Sequence, residues 1–172
     1  MLRTLADTPI VFLDFDGVLN HAGCHPETNF LQESIDVLNE VYNTIPCSIV
    51  LHTSWKNAYV FADLVNLLKE KGIQAPIIDK TPTYVGRLSD RENTVTLSEE
   101  EFYRQIPPEA GPNKEVLEYI RIHSIQHYVI LDDCYFSNPE LHNHQVMTSY
   151  FDEINGGLRS RHLPELLRIL SL

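Results

Sequence analysis

The run Ile10-Val-Phe-Leu-Asp-Phe-Asp-Gly-Val-Leu19 constrains the fold of this chain more than any other stretch. Its first residues are β-branched, aromatic or aliphatic, the character of a strand buried on both faces. They lead directly into two carboxylates, Asp14 and Asp16, and then Gly17. Side chains two apart along a strand point to the same face. Both acids are therefore placed to face one site where the strand runs out into a glycine turn, the edge at which open α/β sheets bind ligands. An Asx turn accounts for Asp16-Gly17 alone, but not for Asp14 directly after apolar residues. Two carboxylates held that close need a cation or a shared proton.

The 172 residues suit a single domain spanning 1–172, with a sizeable core and one modest insertion. Hydrophobic content of 43% and charged content of 22% are ordinary for a globular chain. The net charge of -11 disfavours broad electrostatic binding to nucleic acid or to an anionic membrane surface. Cys24, Cys47 and Cys134 are too few and too oddly spaced for a disulfide framework or a zinc knuckle, which points to a reducing compartment. Asp7 and Pro9 break any signal-peptide pattern, and no apolar stretch approaches membrane-spanning length. The expectation is a cytoplasmic protein with no membrane partner, a monomer or weak dimer.

Apolar segments alternate with helical patterns, which predicts an α/β fold with a mostly parallel central sheet. Strands are expected at Ile10–Asp14, Ser48–Thr53, Ala75–Asp79, Tyr128–Asp132 and Gln145–Thr148. Helices are expected through Leu31, Ile35, Leu38, Val41 and Tyr42, over Ala58–Lys71 ended by Gly72, over Asn113–His123, and from Pro164 onward. Leu163, Leu166, Leu167 and Leu170 form a core-facing stripe on the last of these. Residues 80–112 break the rhythm, framed by Pro82, Gly86, Pro107, Pro108, Gly111 and Pro112. Inside them Ser98 and Glu101 mark a capping box. A connection of that length is a lid or binding element.

Three further pieces accompany the first acid pair. Thr53 and Ser54 end the second strand, where a hydroxyl suits a phosphate oxygen; alone they read as a plain helix N-cap. Lys114 stands early in a helix, where most lysines are solvated. Asp132-Asp133 follows Tyr128-Val-Ile-Leu131 and repeats the pattern of carboxylates closing a buried strand. A hard dication such as Mg²⁺, bound by carboxylate, carbonyl and water oxygens, would hold these acids together.

Acid pair, hydroxyl, lysine and acid pair, in that order, resemble the motifs of a haloacid dehalogenase (HAD) superfamily phosphohydrolase. Motif one is Asp14-Phe-Asp-Gly-Val-Leu19, motif two resembles Ile49-Val-Leu-His-Thr-Ser54, motif three centres on Lys114 and motif four on Asp132-Asp133. The resemblance covers nearly the whole chain and implies a Rossmann-like three-layer αβα fold with the first strand central. Within the superfamily the chain is most similar to small cap-less members with the second motif Thr53-Ser-Trp-Lys56; some relatives of that kind belong to RNA-repair assemblies. About thirty residues separate motif one from the second strand, too few for a large cap beside the intervening helix.

The resemblance implies Asp14 as nucleophile and Asp16 as general acid and base. It implies Mg²⁺ held by Asp14, the Asp16 carbonyl, Asp132 and, less directly, Asp133. Phosphoryl oxygens would be bound by Thr53, Ser54 and Lys114. The expected activity is Mg²⁺-dependent hydrolysis of a phosphomonoester through an aspartyl-phosphate. An open site admits a phosphate on a macromolecule, either a protein side chain or a nucleic-acid end, as the expected substrate. A nucleotide or other small phosphoester is the rival, and a non-catalytic phosphate-responsive module the alternative of another class. Arg87, Arg91 and Arg104 with Tyr84 and Tyr103 are candidate substrate readers. His21, Cys24, His25, His142 and His144 lack the ligand spacing of a zinc site. Cys134 reads as a buried structural thiol, and Trp55 as a packing residue or a gate.

Overall fold

The computed structural model describes residues 7–83 and 110–171. Tyr84, Arg87, Arg91, Ser98, Glu101, Tyr103 and Arg104, with most of the expected lid, lie outside them. Five strands form one parallel sheet: β1 (Ile10–Leu13), β2 (Ser48–Leu51), β3 (Ile77–Lys80), β4 (Tyr128–Asp132) and β5 (Gln145–Met147), in the order β3-β2-β1-β4-β5. The first strand is central. Ile10–Leu13 pairs residue for residue with Ser48–Leu51 on one side and with Tyr128–Leu131 on the other. Every side chain of β1 is buried, as expected for a strand covered on both faces.

Strand alternation divides the core in two. Val11 and Leu13 join Ile49, Leu51, Val129 and Leu131 in a cluster with Ile35, Leu38 and Val41 of α1 (Gln32–Thr44), Leu64 and Leu68 of α2 (Phe61–Glu70), and Leu166 and Leu170 of the C-terminal helix. Ile10, Phe12, Val50 and Ile130 pack on the opposite face against Val116, Leu117 and Tyr119 of α3 (Gly111–His123). Helices on both faces make three layers. The one-turn helix α4 (Pro139–His142) follows β4, and α5 (Leu163–Leu170) closes the described chain. Leu163 and Leu167 complete its core-facing stripe. No helix among the described residues is long and apolar enough to cross a membrane.

The element boundaries differ from expectation in one informative place. The helix expected from Ala58 begins at Phe61, because Thr53 first caps a separate 3-10 turn, Ser54–Asn57. Thr53 Oγ1 accepts from the Trp55 N–H at 3.4 Å. The extra turn carries Trp55 and Lys56 inward, where both are buried.

Candidate active site

Backbone bonds extend each strand by one residue and so line up the site. Asp14 N–H donates to Leu131 O, His52 N–H to Leu13 O, Thr81 N–H to Leu51 O and Thr148 N–H to Asp132 O. Asp14, His52, Thr81 and Asp132 thereby stand side by side at the C-terminal edge of the sheet. Gly17 brings the turns after β1 and β4 together. Its φ is +77°, and a Cβ there would stand 2.6 Å from Asp133 Cβ. Only glycine accepts both the backbone and the contact.

Asp132 is buried, while Asp14, Asp16 and Asp133 keep partial solvent contact. Asp132 Oδ1 accepts from the Cys134 N–H at 2.8 Å. Asp14 Oδ1 accepts from the Phe15 N–H at 2.7 Å, and Thr53 also bonds its side chain. Loss of hydration, followed by the charges of Asp132 and Asp133, pushes the Asp14 carboxyl well above the usual carboxylate range. Asp132 is pushed up likewise, by burial and then by Asp133. Ligand atoms of Asp132, Asp133 and Cys134 lie within 4.8 Å of one another. The carboxylates of Asp14, Asp132 and Asp133, with charge opposing ionisation at the first two, supply the oxygen donors that fit a hard dication such as Mg²⁺.

Asp16 has separate surroundings. Its Oδ1 accepts from Asn20 Nδ2 and its Oδ2 from Trp55 Nε1, both at 2.8 Å. Two neutral donors orient this carboxylate without supplying a counter-charge. Asn20 Oδ1 in turn accepts from the Gly17 N–H, which ties the turn to the acid it carries.

Behind the acids lies a polar network that sequence reasoning missed. Lys56 Nζ donates to Glu115 Oε2 at 2.6 Å, Thr81 Oγ1 at 2.7 Å and Pro82 O at 3.1 Å. An ammonium has three donors, and all three are used. Burial pulls Lys56 down and Glu115 up, while their contact opposes both shifts. His52 Nδ1 lies 3.0 Å from Thr81 Oγ1, and its Nε2 lies 3.7 Å from Asp132 Oδ2. Burial, then the Lys56 charge, pulls His52 down to about 3, leaving a neutral imidazole at pH 7. The signal for His52 was available: like Asp14, it is a polar residue directly after a buried strand.

A sequence profile decides the family, matching residues 10–155 as "HAD domain in Swiss Army Knife RNA repair proteins". The chain belongs to this HAD family. No curated protein and no solved structure matches the chain significantly. In this HAD domain motifs one, two and four meet at one sheet edge. Ser54 is exposed at the start of its turn, beside buried Thr53. Lys114 sits half-buried in the first turn of α3, next to Glu115. One expectation is revised and one extended. Cys134 is half-buried in the turn leaving β4, with its Sγ 3.6 Å from Asp133 Oδ1, because a residue closing the Asp132 loop cannot also reach the core. Trp55 both packs, against Phe15 and Phe30, and donates to Asp16.

Proposed function

We propose that this HAD domain is a Mg²⁺-dependent phosphomonoesterase acting on a phosphate at a nucleic-acid end. The observation that carries the reading is the convergence of Asp14, Asp132 and Asp133 beside an Asp16 held separately by neutral donors. The RNA-repair setting named for the family supports the substrate class.

Asp14, the Asp16 carbonyl, Asp132 and Asp133 would hold the Mg²⁺, which when bound supplies positive charge against the repulsion between a carboxylate and a phosphate. Asp14 attacks phosphorus in line and forms an aspartyl-phosphate, dividing one difficult hydrolysis into two steps. Asp16 gives a proton to the leaving oxygen, then takes one from the water that cleaves the acyl phosphate. The Trp55 and Asn20 bonds keep its carboxyl aimed in both steps. Thr53, Ser54 and Lys114 hold phosphoryl oxygens. Lys56 is assigned a supporting role, since Glu115, Thr81 and Pro82 already take its three protons.

The test is phosphate release from 3′- and 5′-phosphorylated oligonucleotides, from phosphopeptides and from glycerol phosphate, with Mg²⁺ or with chelator. Mg²⁺-dependent release that Asp14→Asn abolishes is expected. Asp14→Asn within about tenfold of wild type, roughly 1.4 kcal/mol of barrier, removes Asp14 from the nucleophile role. Preference for a phosphopeptide overturns the substrate class.

A further inference from the structure

Exposed apolar side chains stand on two segments, one joined to Asp16 through Trp55 and the other bonded to the chain that follows Asp16. Tyr59 and Val60 are 54% and 67% exposed, and Phe151 and Ile154 are 67% and 82% exposed. Trp55, which donates to Asp16, lies 5.6 Å from Tyr59 ring to ring, tilted by 30°. On the other loop Tyr150 and Phe151 meet edge to face at 5.2 Å. Loop 149–157 is bound to the segment that carries Asp16. Ala22 N–H donates to Tyr150 O at 2.8 Å and Leu158 N–H to Val18 O at 2.7 Å. Asp152 Oδ1 caps the Ile154 and Asn155 N–H groups, so the loop that presents Phe151 is internally built. The Ala22 bond holds Tyr150 against the segment that follows Asp16.

An aromatic ring held out in water beside a reactive carboxylate has little to gain from the fold itself, and exposed apolar patches mark binding sites. The site holds Asp14, Asp16, Asp132 and Asp133, and the whole chain carries -11. A long phosphate backbone is repelled there; a neutral π face is not. We propose that Tyr59 on one side and the Tyr150–Phe151 pair on the other form a stacking site for the nucleobase carried by the leaving group. The inference rests on the reading that Asp16 serves the leaving oxygen. Bases of every kind have a π face, so the site selects an unstacked terminal base rather than a sequence. Because stacking rather than contacts along a phosphate backbone holds the leaving group, lengthening the oligonucleotide beyond the terminal base adds little salt dependence to KM.

The experiment compares Tyr59→Leu and Phe151→Leu with Ile122→Leu, which alters an equally exposed side chain on α3. Substrates are a nucleoside monophosphate, a phosphorylated trinucleotide and the same trinucleotide with an abasic terminal residue. The ratio of kcat/KM for base-bearing over abasic ends falls roughly five- to hundred-fold in the two loop variants, and not in Ile122→Leu. An unchanged ratio in both loop variants overturns the stacking site, as does a wild type that treats the two ends alike. Mononucleotide and trinucleotide together tell whether one base suffices. A wild type that releases phosphate from none of these substrates sinks the proposed function instead. Stacking is then decided by the fluorescence of Trp55, the single tryptophan of the chain, on titration with unphosphorylated trinucleotide. Quenching lost in Tyr59→Leu sustains the site, and no quenching in the wild type overturns it.

Discussion

The Trp55 indole N–H donates to Asp16 Oδ2 at 2.8 Å, across 39 positions of sequence. The bond joins the second motif to the first and places an aromatic ring against the acid assigned to the leaving group. It also explains why the chain makes a separate turn at Ser54–Asn57 before α2 starts.

Trp55→Phe keeps a ring against Phe15 and Phe30 and removes that donor. Loss of one hydrogen bond costs about 1 kcal/mol of stability. kcat/KM for alkyl phosphates should fall about tenfold and for aryl phosphates less, because a good leaving group needs less help from an acid. Equal losses on both would mean that Trp55 serves packing alone.

Asp132→Ala should raise the Mg²⁺ concentration needed for half-maximal activity more than Asp133→Ala does. Asp132 is the buried acid, anchored through Cys134. Without metal, the raised Asp14 and Asp132 carboxyls hold more protons in the folded state than in the unfolded one. Stability of the metal-free protein therefore falls as pH rises above the ordinary carboxylate value of 3.8. Mg²⁺ should recover the loss by mass action, visible as a rise in Tm. A Tm indifferent to Mg²⁺ at neutral pH, or a larger activity shift in Asp133→Ala, contradicts this assignment.

Lys56→Met should destabilise the fold by about 3 kcal/mol or more, since it removes the buried cation that bonds the Glu115 carboxylate at 2.6 Å. Replacing both partners with Met should recover much of that loss. Chemical denaturation of the two single variants and the double variant measures the coupling; simple additivity would remove the pair as a strut.

Glu33 offers a pH test far from the acids. It accepts from the Ser160 N–H at 2.9 Å and from Arg159 Nη1 at 3.0 Å. These bonds, led by the Ser160 N–H, lower its carboxyl from 4.5 to about 2. A depressed carboxylate stabilises the folded state above its unfolded value and loses that contribution as pH falls through its folded value. The Tm advantage of wild type over Glu33→Gln should thus be full above about 4.5 and vanish towards pH 2. The side chain is 41% exposed, so the gap is small and shrinks with salt. A gap that widens on acidification would contradict the sign.

Local pattern carried much of this fold. Apolar runs that close on acids marked β1 and β4, and 3.6-residue periodicity marked α1 and α5, because burial of one face writes itself into consecutive residues. Parallel strands follow from helices lying between them. The acids of motifs one and four were legible for the same reason: a charge directly after a buried strand is out of place unless something binds it. What tertiary structure alone decided are the partners. Nothing near Lys56 in sequence announces Glu115, 59 positions away, and nothing near Asp16 announces Trp55. Lysine and tryptophan are common on surfaces and in cores respectively, so their types carry little information without a neighbour. Strand order set those neighbours. Placing β1 between β2 and β4 brings the turn after β2 against the acids that close β1 and β4, and packing then converts a Thr-Ser-Trp-Lys turn into part of the site.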